Sequence, residues 1–144
     1  MKTVTFCGYE SLQHCNYESI RKKLYDVIDN LIRQGATEFL LSGSGEFDRM
    51  CSIAVRFFKM KYPFVVSVLV TSIPVRSFDK DLYDKNISPI IYKIQNKSDV
   101  IRRNEYMARH ADVVVTCLGH PSGKEARMLT YAKKLQKTVI DIEE

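Results

Sequence analysis

Glu38-Phe39-Leu40-Leu41-Ser42-Gly43-Ser44-Gly45-Glu46-Phe47-Asp48 decides the fold. Its first five residues make a short apolar run of strand type, and two glycines break it at once. Phe47, Met50, Cys51, Ala54, Phe57 and Phe58 then recur at helical steps, up to Pro63. A strand feeding a helix through a tight glycine turn is half of a β–α–β unit.

The flanks carry the same alternation. Val4-Thr5-Phe6-Cys7 is a β-rich run stopped by Gly8. A helix follows from Asn16, with Ile20, Leu24, Val27, Ile28, Leu31 and Ile32 as its apolar stripe. Asn16 suits the N-cap, Glu18 the first turn, and Gly35 the stop. Val65–Val70 is a nearly continuous apolar strand of the kind buried on both faces of a parallel sheet. Ser98 and Asp99 are placed to cap a helix through about Arg109. Asp112–Cys117 is a strand, Ser122 opens a last helix, and Thr138–Ile142 is a closing strand. Between Ile73 and Lys97 lies a long connection with one short strand expected near Ile90–Ile94.

This alternation predicts one domain over residues 1–144: a Rossmann-like three-layer α/β/α sandwich with a mainly parallel sheet and right-handed crossovers. The expected strand order is 3-2-1 followed by 4-5. Its switch point then falls between the first and fourth strands, where open α/β sheets collect ligands.

Candidate site residues follow from that edge. After the first strand come Gly8, Tyr9 and Glu10, with Gly8 allowing close approach and the next two placed to touch a base or ribose. After the second come Ser42, Gly43, Ser44, Gly45, Phe47 and Asp48. A glycine turn leading into a helix presents backbone N–H groups to a phosphate. The pattern is neither GxGxxG nor a P-loop, and Asp48 also suits a helix cap or dipole partner. After the fourth come His120, Ser122, Gly123, Lys124 and Glu125, where Lys124 suits a phosphate and Ser122-x-x-Glu125 reads as a capping box. Arg102, Arg103 and Asn104 offer a phosphate clamp, with solvated surface as the alternative.

Composition narrows the class. The chain has 144 residues and a net charge of +5, with its Lys and Arg dispersed rather than striped. No run approaches the roughly 18 apolar residues of a membrane span. Met1 leads straight into a strand without a signal-peptide pattern, so the expectation is a cytoplasmic protein. The four cysteines, Cys7, Cys15, Cys51 and Cys117, form no CxxC pair. They read as buried thiols, and no metal or cofactor is expected.

Taken in order, these motifs resemble the SLOG superfamily, the Rossmann-like group that includes the SMF/DprA and LOG proteins, and within it the YpsA-like branch. Phe6-Cys7-Gly8-Tyr9-Glu10 stands at its Phe-x-Gly-His-Arg-like motif, and Ser42–Asp48 at its Gly-Gly-Ala-x-Gly-Phe-Asp-like motif. Arg103-Asn104-Glu105-Tyr106-Met107 matches its Arg-Asn-x-x-Met element, with Ala111–Val115 following. Gly123-Lys124 and Tyr131-Ala132 stand at its ending. The resemblance implies a pocket for a nucleotide-type ligand, ADP-ribose-like or a cyclic nucleotide, in a sensor, carrier or sequestering module. Relatives that hydrolyse nucleoside monophosphates carry Pro-Gly-Gly-x-Gly-Thr-x-x-Glu, where this chain has His120-Pro121-Ser122-Gly123-Lys124-Glu125. A phosphoribohydrolase is therefore the second reading, with Arg103, Glu125 and Glu46 as candidate catalytic residues. Single-strand nucleic-acid binding is the third, disfavoured because aromatics do not interleave with a basic stripe. By analogy with small Rossmann-like domains, a homo-oligomer is expected.

Overall fold

The structure, a computed structural model, describes residues 2–89, 98–118 and 123–142. Ten elements follow one another in these segments. They are β1 (Lys2–Gly8), α1 (Tyr17–Arg33), β2 (Ala36–Leu41), α2 (Glu46–Lys61), β3 (Val66–Val70), β4 (Lys85–Ile87), α3 (Asp99–His110), β5 (Val113–Cys117), α4 (Gly123–Lys134) and β6 (Thr138–Asp141). The strands form one parallel sheet in the order β4-β3-β2-β1-β5-β6. This is the Rossmann-like architecture read from the sequence, with one strand added outside β3.

Local chemistry sets the helix ends. The Asn16 side chain accepts the Ser19 N–H at 3.1 Å, and Gly35 closes α1 at φ +108°. Ser98 caps α3 by accepting the Ile101 N–H at 3.2 Å. A side-chain cap is missing from α2; Gly45 begins it at φ +91°. Its first amides find carbonyls in the loop after β1 instead, as described below.

Because β1 and β2 are covered on both sides, consecutive residues feed two cores. On one face α1 and α2 bury Leu24, Ile28, Phe47 and Val55 against Phe6, Phe39 and Val115. Phe6 and Phe39 stack at 6.2 Å. On the other face Met107, Ala108, Met128 and Ala132 of α3 and α4 meet Leu40, Val68 and Val114. Phe39 is fully buried, and truncating such a ring costs about 3–5 kcal/mol.

The strand expected near Ile90–Ile94 lies outside the described residues. Within the Ile73–Lys97 connection the described strand is β4, which pairs Lys85 with Val68 and Ile87 with Val70. Asp84 anchors it. Its carboxylate accepts the Ser67 N–H at 2.8 Å and contacts Lys59 at 3.0 Å and Arg56 at 3.2 Å. Burial pushes the Asp84 carboxyl up, but these donors outweigh it and hold it below the usual range.

Candidate functional site

Gly8 pairs with Cys117, so β1 and β5 end side by side. From there the chain departs to opposite faces of the sheet, into α1 and α4. A cleft opens where neighbouring strands diverge in this way. It holds a cavity of about 120 Å³.

Of the residues singled out from the sequence, Gly8, Glu10, Ser42, Ser44, Asp48, Arg103, Asn104, Lys124 and Glu125 line this cavity. Tyr9, Gly43, Gly45, Glu46, Phe47 and Gly123 are not among the lining residues. Ser122, with His120 and the proposed Ser122–Glu125 box, lies outside the described residues. Phe6, Cys7, Val100, Met107 and Met128 complete the apolar part of the wall, which sequence reasoning had not assembled. The signal for the two methionines was present: both fall on the inward stripes of their helices.

The glycine turn holds itself. Asp48 folds back so that Oδ1 accepts the Gly43 N–H at 2.7 Å and Oδ2 the Ser42 N–H at 3.1 Å. Ser44 N–H donates to Ser42 Oγ at 3.2 Å. The amides of Glu46 and Phe47 donate to the carbonyls of Glu10 and Tyr9 at 2.8 and 3.3 Å, and Glu46 Oε1 accepts the Leu12 N–H at 2.7 Å. Of the Gly43–Gly45 amides expected from the sequence to cradle a phosphate, those of Gly43 and Ser44 are therefore engaged within the protein. Of the turn residues, Ser42, Ser44 and Asp48 line the cavity. Burial pushes the Asp48 carboxyl up, against the pull of the two turn amides, the Ser42 hydroxyl and the Arg103 charge. Glu46 is fastened to the loop after β1 and is not among the residues that line the cavity.

Gly8 and Phe47 serve one another. A Cβ on Gly8 would enter the Phe47 ring, and Phe47 is 1% exposed in the core. Gly8 thus lets the α2 ring reach the end of β1.

From the opposite wall comes Arg103. Its Nε and Nη2 donate to Asn104 Oδ1 at 3.3 and 3.2 Å, which fixes the guanidinium plane. Burial lowers its pKa, and the charges of Asp48 and Glu10 oppose that shift. Arg102 points elsewhere: it is buried and pairs with Asp99 at 3.4 Å. Adjacent helix residues face different directions, so the expected pair of arginines reduces to Arg103 alone.

Cys7 is no nucleophile. Its Sγ donates to the Glu125 carbonyl at 3.2 Å. Burial, then the Glu125 and Asp48 charges, push the thiol up to about 12, so it stays protonated at neutral pH. Among the described residues, no group of three or more His, Cys, Asp or Glu side chains is placed to hold a metal ion. Nor is any helix there long and apolar enough to cross a membrane.

The cavity's chemistry is thus mixed. Arg103 and Lys124 supply positive charge for an anion. Glu10 and Glu125 supply acceptors for hydroxyl or amino groups, and the methionines and Val100 supply an apolar surface. Pockets for drug-sized ligands run from about 300 Å³ upward, so this one has room for an end of such a molecule.

No family model matches the chain, and no curated protein matches it. Solved structures do. TM1055, a structural-genomics target, superposes with a TM-score of 0.64 at 18% identity, covering 96% of this chain and 72% of its own. The single-stranded-DNA-binding DNA processing protein A (DprA) of Helicobacter pylori gives 0.66 at 12% identity over 97% of this chain. DprA of Streptococcus pneumoniae gives 0.64 at 11% identity over 98%. The chain spans 64% and 50% of those two DprA chains. At these identities the likeness shows a shared fold.

Proposed function

We propose that the chain binds a nucleotide or nucleotide-derived ligand, ADP-ribose-like or a cyclic nucleotide, as a sensor, carrier or sequestering module. The observation that carries this reading is the convergence of Arg103 and Lys124 with Glu10 and Glu125 on one cavity at the switch point. Cations engage a phosphate while carboxylates accept ribose hydroxyls or base amino groups, and a nucleotide offers both within one molecule. The ordered motifs and the fold shared with DprA proteins support placing the chain in the SLOG superfamily. The YpsA-like branch rests on the motifs alone.

Titration calorimetry with ADP-ribose, NAD, AMP and cyclic nucleotides tests the reading. Saturable binding of at least one, weakened in Arg103→Ala, is expected. Silence across the panel sinks it.

A second reading is favoured by one specific observation: Arg103 and Glu125 line the same cavity. In a nucleoside-monophosphate hydrolase, Arg103 would hold the phosphate and Glu125 would stabilise positive charge developing on the ribose. Release of free base from AMP, abolished in both Arg103→Ala and Glu125→Gln, would select it over pure binding. Single-strand nucleic-acid binding would show as a salt-sensitive shift of labelled oligonucleotides.

A further inference from the structure

Among the described residues that line the cavity, three carry carboxyl groups, Glu10, Asp48 and Glu125, and two are cations, Arg103 and Lys124. Even with the buried Asp48 protonated, the two signs only balance. The N-terminus of α4, which brings Lys124 and Glu125 here, adds roughly half a positive charge. That of α2 adds less, because the amides of Glu46 and Phe47 already donate to the carbonyls of Glu10 and Tyr9. Such a site suits one added negative charge better than two, since every further charge meets carboxylates as well as cations.

Glu10 is held where it stands. Its carbonyl accepts the Glu46 N–H at 2.8 Å, and two residues on the Leu12 N–H donates to Glu46 Oε1 at 2.7 Å. The side chain lies against Gly45. A Cβ at that position would stand 3.1 Å from Glu10 Oε2 and 3.2 Å from Glu10 Cα, tighter than ordinary contact. Gly45 thus leaves the space that Glu10 fills beside the glycine turn. The Glu10 charge, with that of Asp48, also acts on Arg103. The guanidinium therefore shares its field with carboxylates before any ligand arrives.

Phosphates differ in the charge they bring. A terminal phosphomonoester carries about −1.5 to −2 at neutral pH, because its second pKa is about 6. A phosphate linked through two of its oxygens, as in a cyclic nucleotide or a dinucleotide pyrophosphate, has lost that second acid group and carries a single charge. We propose that Glu10 determines the class of phosphate the cavity accepts: a nucleotide whose phosphates are doubly linked, in preference to one ending in a phosphomonoester. This rests on the nucleotide-binding reading above and narrows it. A singly charged phosphate gains Arg103 and Lys124 while Glu10 and Glu125 accept ribose hydroxyls. The second charge of a monoester is repelled by those same carboxylates.

Calorimetry of the wild-type chain with cyclic AMP, NAD and ADP-ribose, set against AMP, tests the proposal. At least one doubly linked probe is expected to bind tenfold or more tighter than AMP. Glu10→Gln keeps the shape and an acceptor oxygen but removes the charge, and should improve AMP binding about fivefold or more relative to that probe. Should Glu10→Gln lose native circular dichroism, Glu10→Ser is read in its place. Binding of none of the four probes would defeat the nucleotide reading itself, and the role of Glu10 with it. AMP bound as tightly as the others, or a preference unchanged in the Glu10 variant, overturns the role of Glu10 alone.

Discussion

Asp48 bonds backward to Gly43, accepting its N–H at 2.7 Å, while its second oxygen takes the Ser42 N–H at 3.1 Å. One buried side chain thus fixes the turn that leads from β2 into α2, and forms part of the cavity wall. Asp48→Ala leaves both amides without that acceptor and is expected to cost about 2–4 kcal/mol. Asp48→Asn retains one acceptor and costs less. A carboxyl raised in the folded state contributes stability that is fully present below its unfolded pKa, about 4. That contribution is lost as pH rises through the raised folded value. Urea midpoints from pH 4 to pH 8 should therefore show a falling component in the wild type that the Asn variant lacks. Identical profiles would refute the assignment.

The Gly8–Phe47 contact makes a packing prediction. Gly8→Ala drives a methyl into a ring with no room to retreat and should cost about 2–3 kcal/mol. Phe47→Leu in the same chain gives that methyl space. A double-mutant cycle read by denaturation should show coupling of about 1 kcal/mol or more. Simple additivity would mean that the two residues do not share the space.

Asp84 titrates in the opposite sense to Asp48. Its folded pKa is depressed, so its stabilisation is present above the unfolded carboxylate pKa and is lost as pH falls through the folded value. Asp84→Asn is expected to cost about 1–2 kcal/mol at pH 7, discounted for its partial exposure. In acid the variant and wild type should converge. A loss that persists undiminished at pH 2 would show that packing, not charge, matters there.

In the cavity, Arg103→Lys keeps the charge but loses the planar fork that Asn104 holds in place. Nucleotide affinity should fall about tenfold in Arg103→Lys and further in Arg103→Ala. Calorimetry reads both, and a Lys variant binding as well as the wild type would reduce Arg103 to a point charge.

Much of the fold was legible because apolar periodicity and caps agreed with one another. Asn16, Gly35 and Ser98 act as their residue types suggest, and Val113–Cys117 is a fully buried strand. The edge strand β4 escaped because Lys85-Asn86-Ile87 is short and polar, and its place is set by the distant contacts of Asp84. The residues of the cavity were legible as a neighbourhood, since topology alone brings the ends of β1, β2 and β5 together. Their roles were less so. Local pattern suggested that Asp48 caps a helix and that the turn amides are free. The direction a side chain takes five or six residues back along the chain is decided by burial, which periodicity does not report.

The strand order has one further consequence. β1 lies between β2, its near neighbour in sequence, and β5, just before which the Asp112 N–H donates to the Thr3 carbonyl across 109 residues of chain. The sheet is thereby two half-sheets joined along a single seam, and the cavity straddles it, with Glu10, Ser42 and Asp48 on one side and Arg103, Lys124 and Glu125 on the other. Any occupant that touches both walls is a rivet across that seam. Its binding energy adds to the cohesion of the halves, and its departure loosens first the joint that the chain had to travel furthest to close.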